Sequence, residues 1–144
     1  PDTVVKVFNI AKADKNEVMT EIFKSRAVAV GSPTVSNSIL SSVAGWLEFL
    51  KQLKFRSKRA AAFGCYGWSG ESVHILQEKL KEAGFDVIEE NVRVLWTPGD
   101  ADIAAIPVMV EHLIGKQADA DAARTETDKA PSGCELTATG GALL

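Results

Sequence analysis

Extended and helical patterns alternate along this chain of 144 residues in the order β-α-β-α-β-α-β-α. That order predicts an α/β fold, a three-layer, doubly wound and mainly parallel sheet with right-handed crossovers. Three observations carry the prediction. Short runs of apolar residues without polar alternation, Ala27–Val30 and Ala60–Phe63, suit strands covered on both faces. Stripes of apolar residues at helical spacing lie around them, clearest in Ile39, Val43, Trp46, Leu47 and Leu50. Loops containing glycine and serine follow both runs, at the strand ends where open α/β sheets hold their ligands.

Taken in order, Val4 to Ile10 is β-branched and aromatic and reads as the first strand. Asp14, with Glu17 three residues on, opens a short helix whose inner face is Val18, Met19, Ile22 and Phe23. Ala27–Val30 is then a central strand, ended by Gly31-Ser32-Pro33-Thr34. A helix from Ser38 to Leu53 follows, with Ser36, Asn37 or Ser38 as its expected N-cap. Lys54, Arg56, Lys58 and Arg59 read as a solvated turn into the next strand, Arg59 to Phe63. That strand is mostly alanine, small enough for helices to press closely on either side. A helix over 69–83 turns Val73, Leu76 and Leu80 inward and stops at Gly84, placed as a C′ glycine. Val87 to Trp96 reads as an edge strand, with Val92, Val94 and Trp96 alternating against Arg93 and Leu95. After Thr97-Pro98-Gly99-Asp100, a last helix covers much of 102–114, kinked or restarted at Pro107. From Lys116 the composition shifts to Ala, Asp, Thr and Gly. The expected organisation is therefore one domain over 1–115 and a disordered tail or linker over 116–144.

Composition excludes several classes of function. A net charge of -3 and no basic stripe argue against nucleic acid as a partner. No apolar run reaches the ~20 residues of a membrane span, and the amino terminus has no signal pattern, so a cytoplasmic protein is expected. Cys65 and Cys134 have neither a disulfide framework nor metal spacing, and His74 and His112 lie apart on helices. Gly67-Trp68-Ser69-Gly70 lacks the second spacer of a nucleophile elbow. A phosphoacceptor domain would carry aspartate at the strand ends, where Ser32 and Gly64 stand.

Two strand-end loops remain. In Gly31 to Asn37, the hydroxyls of Ser32, Thr34 and Ser36 and the amide of Asn37 precede a helix and offer anchors for a polar chain. In Phe63 to Glu71, glycines flank Tyr66 and Trp68, so that two flat rings and close backbone suit a planar ligand. The helix beginning near Ser69 aims its positive end at the same place, which favours a ligand that becomes anionic on reduction. Cys65 is also a candidate reactive thiol at that helix end, with no evident partner base.

The sequence resembles the flavodoxin-like domain of flavodiiron proteins, of the flavorubredoxin or anaerobic nitric oxide reductase kind. The resemblance runs from about Val4 to Trp96 and rests on Ala11-Lys12-Ala13-Asp14-Lys15, Thr20-Glu21-Ile22-Phe23-Lys24, Gly31-Ser32-Pro33-Thr34, Val43-Ala44-Gly45 and Ala62-Phe63-Gly64-Cys65-Tyr66-Gly67-Trp68-Ser69-Gly70. It implies a flavodoxin-like sheet and a bound FMN. Ser32, Pro33, Thr34, Val35 and Asn37 would hold the ribityl chain and one side of the ring; Gly64, Cys65, Tyr66, Gly67, Trp68 and Ser69 would hold the other. The family passes electrons from FMN to a diiron metallo-β-lactamase-like domain, and a rubredoxin or flavin reductase is its implied donor. This sequence departs from the family in carrying Cys65 where serine is usual and Ser36 where asparagine is common. The family's first strand and Ser/Thr-rich phosphate loop have no counterpart in it, so an amino-terminally truncated domain is expected. Two alternatives stand beside the FMN module: a fragment that acts only by association, including self-pairing into a homo-oligomer, and a quinone reductase of the same fold.

Overall fold

A computed structural model of the chain describes residues 3–115. The elements are α1 (Lys15–Lys24), β1 (Ala27–Gly31), α2 (Ser41–Leu53), β2 (Arg59–Tyr66), α3 (Ser72–Glu82), β3 (Asp86–Val87), β4 (Val92–Leu95) and α4 (Asp100–Gly115). β2 is the centre of a parallel sheet, paired to β1 on one edge and to β3 and β4 on the other. The expected tail over 116–144 lies outside the described residues.

Alternation along β2 assigns the two faces. Ala60 and Ala62 join Val30 in the larger core, beneath Val18, Met19 and Ile22 of α1, Val43, Trp46, Leu47 and Leu50 of α2, and Val73, Leu76 and Leu80 of α3. Ala61 points the other way, into a smaller core with Val92, Val94 and, from α4, Met109 and Leu113. All three alanines are fully buried, which is why the strand has no larger side chain there. The predicted three-layer sheet is thus realised.

Helix ends follow local chemistry. Asp14 caps α1 by accepting from the N–H groups of Asn16 and Glu17. The far end of α1 is closed from a distance, because Lys58 Nζ donates to the carbonyls of Ile22, Phe23 and Ser25. Burial there depresses the Lys58 pKa, so this residue is a structural clasp rather than part of a solvated turn. α3 ends in paired bonds, Gly84 N–H to Lys81 O and Phe85 N–H to Leu80 O, with Gly84 at φ 93°, as its sequence position predicts. Pro107 lies inside a single helix, α4.

Several sequence expectations need correction. Val4 to Ile10 is not a strand: no strand pairs with it among the described residues, and strand propensity without a neighbour to pair with does not make a sheet strand. The segment is tethered instead to α1, through Phe8 and Ile10 against the core and the Lys6–Glu21 ion pair at 2.5 Å. β1 is likewise at the edge of the described sheet rather than central, and Ala29 is exposed. Phe23 leaves the inner face of α1, 60 % exposed, and meets the ring of Phe55 at 5.0 Å. The single strand expected over 87–96 is broken into β3 and β4. Its register against β2 changes from Arg59↔Asp86 to Phe63↔Val92, so two extra residues bulge out between them.

Candidate functional site

In a parallel sheet the carboxyl ends of all strands lie along one edge, and here that edge carries the segments after β1, β2 and β4. The first two are stitched together. Ser32 N–H donates to Phe63 O at 3.2 Å and Thr34 N–H to Cys65 O at 2.8 Å, extending the β1–β2 ladder past the end of β1. The seam is tight at Gly64, where a β-carbon would come within 2.4 Å of Ser32 O and 2.9 Å of Ser72 Oγ. Only glycine allows this approach.

The hydroxyls of the first segment face inward more than the sequence suggests. Ser32 is buried; its Oγ accepts from Leu40 N–H and donates to Pro33 O. Thr34 Oγ1 donates to Ser72 Oγ at 2.9 Å and accepts from Ser72 N–H, so it binds the first turn of α3. Val35 and Ser38 exchange both backbone bonds around Ser36 and Asn37, which have φ of 49° and 57°. That is a two-residue hairpin turn with both central residues left-handed, a conformation asparagine tolerates well. Ser36, Asn37 and Ser38 are therefore not the cap of α2, which begins at Ser41 without a side-chain cap. The exposed turn reaches the second loop, where Ser69 Oγ donates to Asn37 Oδ1 at 3.4 Å.

The second segment is shorter than predicted. β2 continues to Tyr66 because β4 pairs with it from Phe63 to Tyr66, leaving Gly67–Glu71 as the loop. Cys65 is exposed within this strand rather than at a helix end, and the carbonyls of Phe63, Cys65 and Tyr66 are already bonded to Ser32, Thr34 and Trp96. α3 starts at Ser72, later than predicted, and Thr34 already accepts from its first N–H. The two rings also part company. Tyr66 lies under the Arg93 guanidinium at 5.5 Å, with Gly70 packed against it. Trp68 is 90 % exposed and meets Trp96 edge-to-face at 6.0 Å. The structure thus brings Ser69 to Asn37 and Gly64 to Ser32, and does not pair Tyr66 with Trp68.

Trp96, Arg93 and Ser72 were missed at the level of sequence. Trp96 continues the alternation of Val92 and Val94, which disguises it as a strand residue. Its signal was position, at the carboxyl end of a parallel strand and before Thr97-Pro98-Gly99. A cavity of about 390 Å³, lined by Val73, His74, Gln77, Asn91 and Arg93, lies on the α3–β4 flank and includes none of the predicted residues. Its open, polar lining lacks the convergent apolar walls of a cofactor pocket. At the loop edge, one Glu71 carboxylate oxygen is buried without a hydrogen-bond partner, an acceptor suited to a ligand donor. Among the described residues no cluster of His, Cys, Asp and Glu is placed to hold a metal, and no helix is long and apolar enough to cross a membrane.

Comparison with known proteins places the chain as a whole in a family. The family model described as Flavodoxin matches residues 2–127. An anaerobic nitric oxide reductase flavorubredoxin of Aeromonas salmonicida is 45 % identical over 112 residues, which is 78 % of this chain and 21 % of that protein. The chain therefore spans about a fifth of the curated relatives it matches. Among solved structures, the rubredoxin oxygen:oxidoreductase of Desulfovibrio gigas superposes with a TM-score of 0.74 at 38 % identity, over 82 % of this chain and 29 % of that one. The flavodiiron protein of Giardia intestinalis gives 0.67 at 30 % identity, over 77 % and 28 %. An archaeal flavodoxin gives 0.64 at 28 % identity, over 74 % and 73 %.

Proposed function

The chain belongs to the flavodoxin family, and on that premise we propose that it is an FMN-binding electron-transfer module of the kind that serves flavodiiron proteins. The observation that carries the proposal is the seam between the two carboxyl-edge loops, closed at Gly64 and bridged again from Ser69 to Asn37. It sets an exposed hairpin, Val35 to Ser38, beside an exposed indole, Trp68.

The residues fit the group. Pro33, Thr34, Val35 and Asn37 would hold the ribityl chain and one side of the ring, with Ser32 shaping the turn from beneath. Gly67, Trp68 and Ser69 would hold the other side, and the unpartnered Glu71 oxygen would accept a hydrogen bond. Gly64, Cys65 and Tyr66 would support the site through the strand they form. FMN would supply the redox chemistry, taking up and passing on electrons; the chain would orient it and keep one ring face from water. No side chain need act as acid or base. The acceptor would be a diiron centre in a metallo-β-lactamase-like domain and the donor a rubredoxin or flavin reductase, in the cytoplasm.

A visible spectrum of the purified chain, followed by FMN titration, tests the proposal. Yellow protein whose affinity falls about tenfold in Trp68→Ala, ~1.4 kcal/mol, supports it. No uptake at ~1 mM FMN would sink it for the chain alone.

A second reading is favoured by the outer edge of β1, which has no partner strand among the described residues and exposes Ala29. Unpaired edges invite another strand, including one from a second copy. On this reading FMN uptake follows association, and affinity rises with protein concentration.

A further inference from the structure

The role of Trp96 emerges only from the fold. Its backbone N–H donates to Tyr66 O at 2.9 Å, the last rung between β2 and β4, and it then turns to φ 58°, a left-handed value bulky side chains rarely adopt. The turn lays the indole across Gly67, where a β-carbon would sit 2.8 Å from Cζ2 and 2.9 Å from Cη2 of Trp96. The same ring meets Trp68 edge-to-face, 6.0 Å between centroids and 65° between planes, the arrangement aromatic quadrupoles prefer. Both indoles are nonetheless exposed, 67 % for Trp96 and 90 % for Trp68, so this pair is not part of a core. Strain in the backbone and two exposed rings are tolerated together at the carboxyl edge of the sheet, beside the loop that would hold a flat ligand.

We propose that Trp96 is the positioning residue of the site: its indole packs against Gly67 and holds the Trp68 indole, edge to face, as the wall for the FMN ring. The proposal rests on the FMN reading given above. Without Trp96, the Gly67–Glu71 loop would lose the ring packed against Gly67, and Trp68 the aromatic ring it meets among the described residues. Trp96 itself need not touch the ligand. Gly67 gains a reason as well, since any side chain there would push the Trp96 ring away.

The test uses the full chain and three variants, Trp96→Ala, Trp96→Phe and Gly67→Ala, each first checked for native far-UV signal and cooperative melting. The coupled indole pair should give an exciton feature in the ultraviolet circular dichroism that Trp68→Phe and Trp96→Phe remove equally, with no flavin present. In FMN titrations Trp96→Ala should weaken binding about tenfold and blunt the quenching of flavin emission, while Trp96→Phe, which keeps a ring over Gly67, should recover most of both. Gly67→Ala should reproduce the Trp96→Ala loss without touching β4. Wild-type chain that takes up no FMN defeats the cofactor reading and this role together. Wild-type chain that binds FMN, with Trp96→Ala binding equally well and equally quenched, overturns the role of Trp96 alone.

Discussion

Replacing Gly64 by alanine tests the seam on which the site depends. The new β-carbon would stand 2.4 Å from Ser32 O, a backbone atom, against an ordinary contact near 3.4 Å, so the segment after β1 must retreat by about 1 Å. Such a shift would stretch the Thr34 N–H to Cys65 O bond from 2.8 Å to about 3.8 Å and break the Ser32 bond to Phe63, already 3.2 Å. Two backbone bonds at ~1 kcal/mol each, with some overpacking strain, predict a loss of about 2–4 kcal/mol. Since urea slopes for small domains are ~1–3 kcal/mol/M, the midpoint should fall by roughly 1–2 M. FMN affinity should drop in parallel, because the hairpin moves with its stem. A loss below ~0.5 kcal/mol would show that the loops do not need this close approach.

Other outcomes follow from the same structure. Gly45→Ala is the contrasting glycine change, since a β-carbon there meets nothing within 4 Å inside α2; it should stabilise by ~0.5–1 kcal/mol in the same urea assay. Asp14→Ala removes the acceptor for two N–H groups of α1 and should cost ~1 kcal/mol, with Asp14→Asn retaining most of it. The Glu21 carboxyl titrates below its ordinary value, chiefly through the hydrogen bond from Lys6, opposed by desolvation and aided by Lys24. Its charged form is thus favoured by folding, so the tether of residues 3–10 to α1 is complete above the ordinary glutamate range and is lost as pH falls through the lowered value. Hydrogen exchange across 3–10 should quicken over that window, and Glu21→Gln should exchange fast at every pH.

Most of the architecture was legible because burial writes itself into sequence. The alanines of β2 and the stripe Val43, Trp46, Leu47 and Leu50 place a sheet under a helix without further information. Val4 to Ile10 failed for the opposite reason: strand propensity describes a residue's fitness for a pleated surface, and pairing requires a neighbour that local pattern does not reveal. At the site, Gly64 and Trp68 stood out by type, yet their partners did not. The bonds of Thr34 to Ser72 span 38 residues, and the turn at Trp96 depends on where β4 ends against Tyr66. The hairpin of Ser36 and Asn37 was mistaken for a helix cap because the same short polar side chains serve both.

The most direct measurement maps FMN onto the labelled chain by amide and indole chemical shifts. If the two stitched loops are the ring site, shifts will concentrate at Thr34 to Asn37, at Gly67 to Ser69 and at the indole N–H groups of Trp68 and Trp96. Shifts centred instead on His74, Gln77 and Asn91 would put the flavin in the α3–β4 cavity and not between the loops.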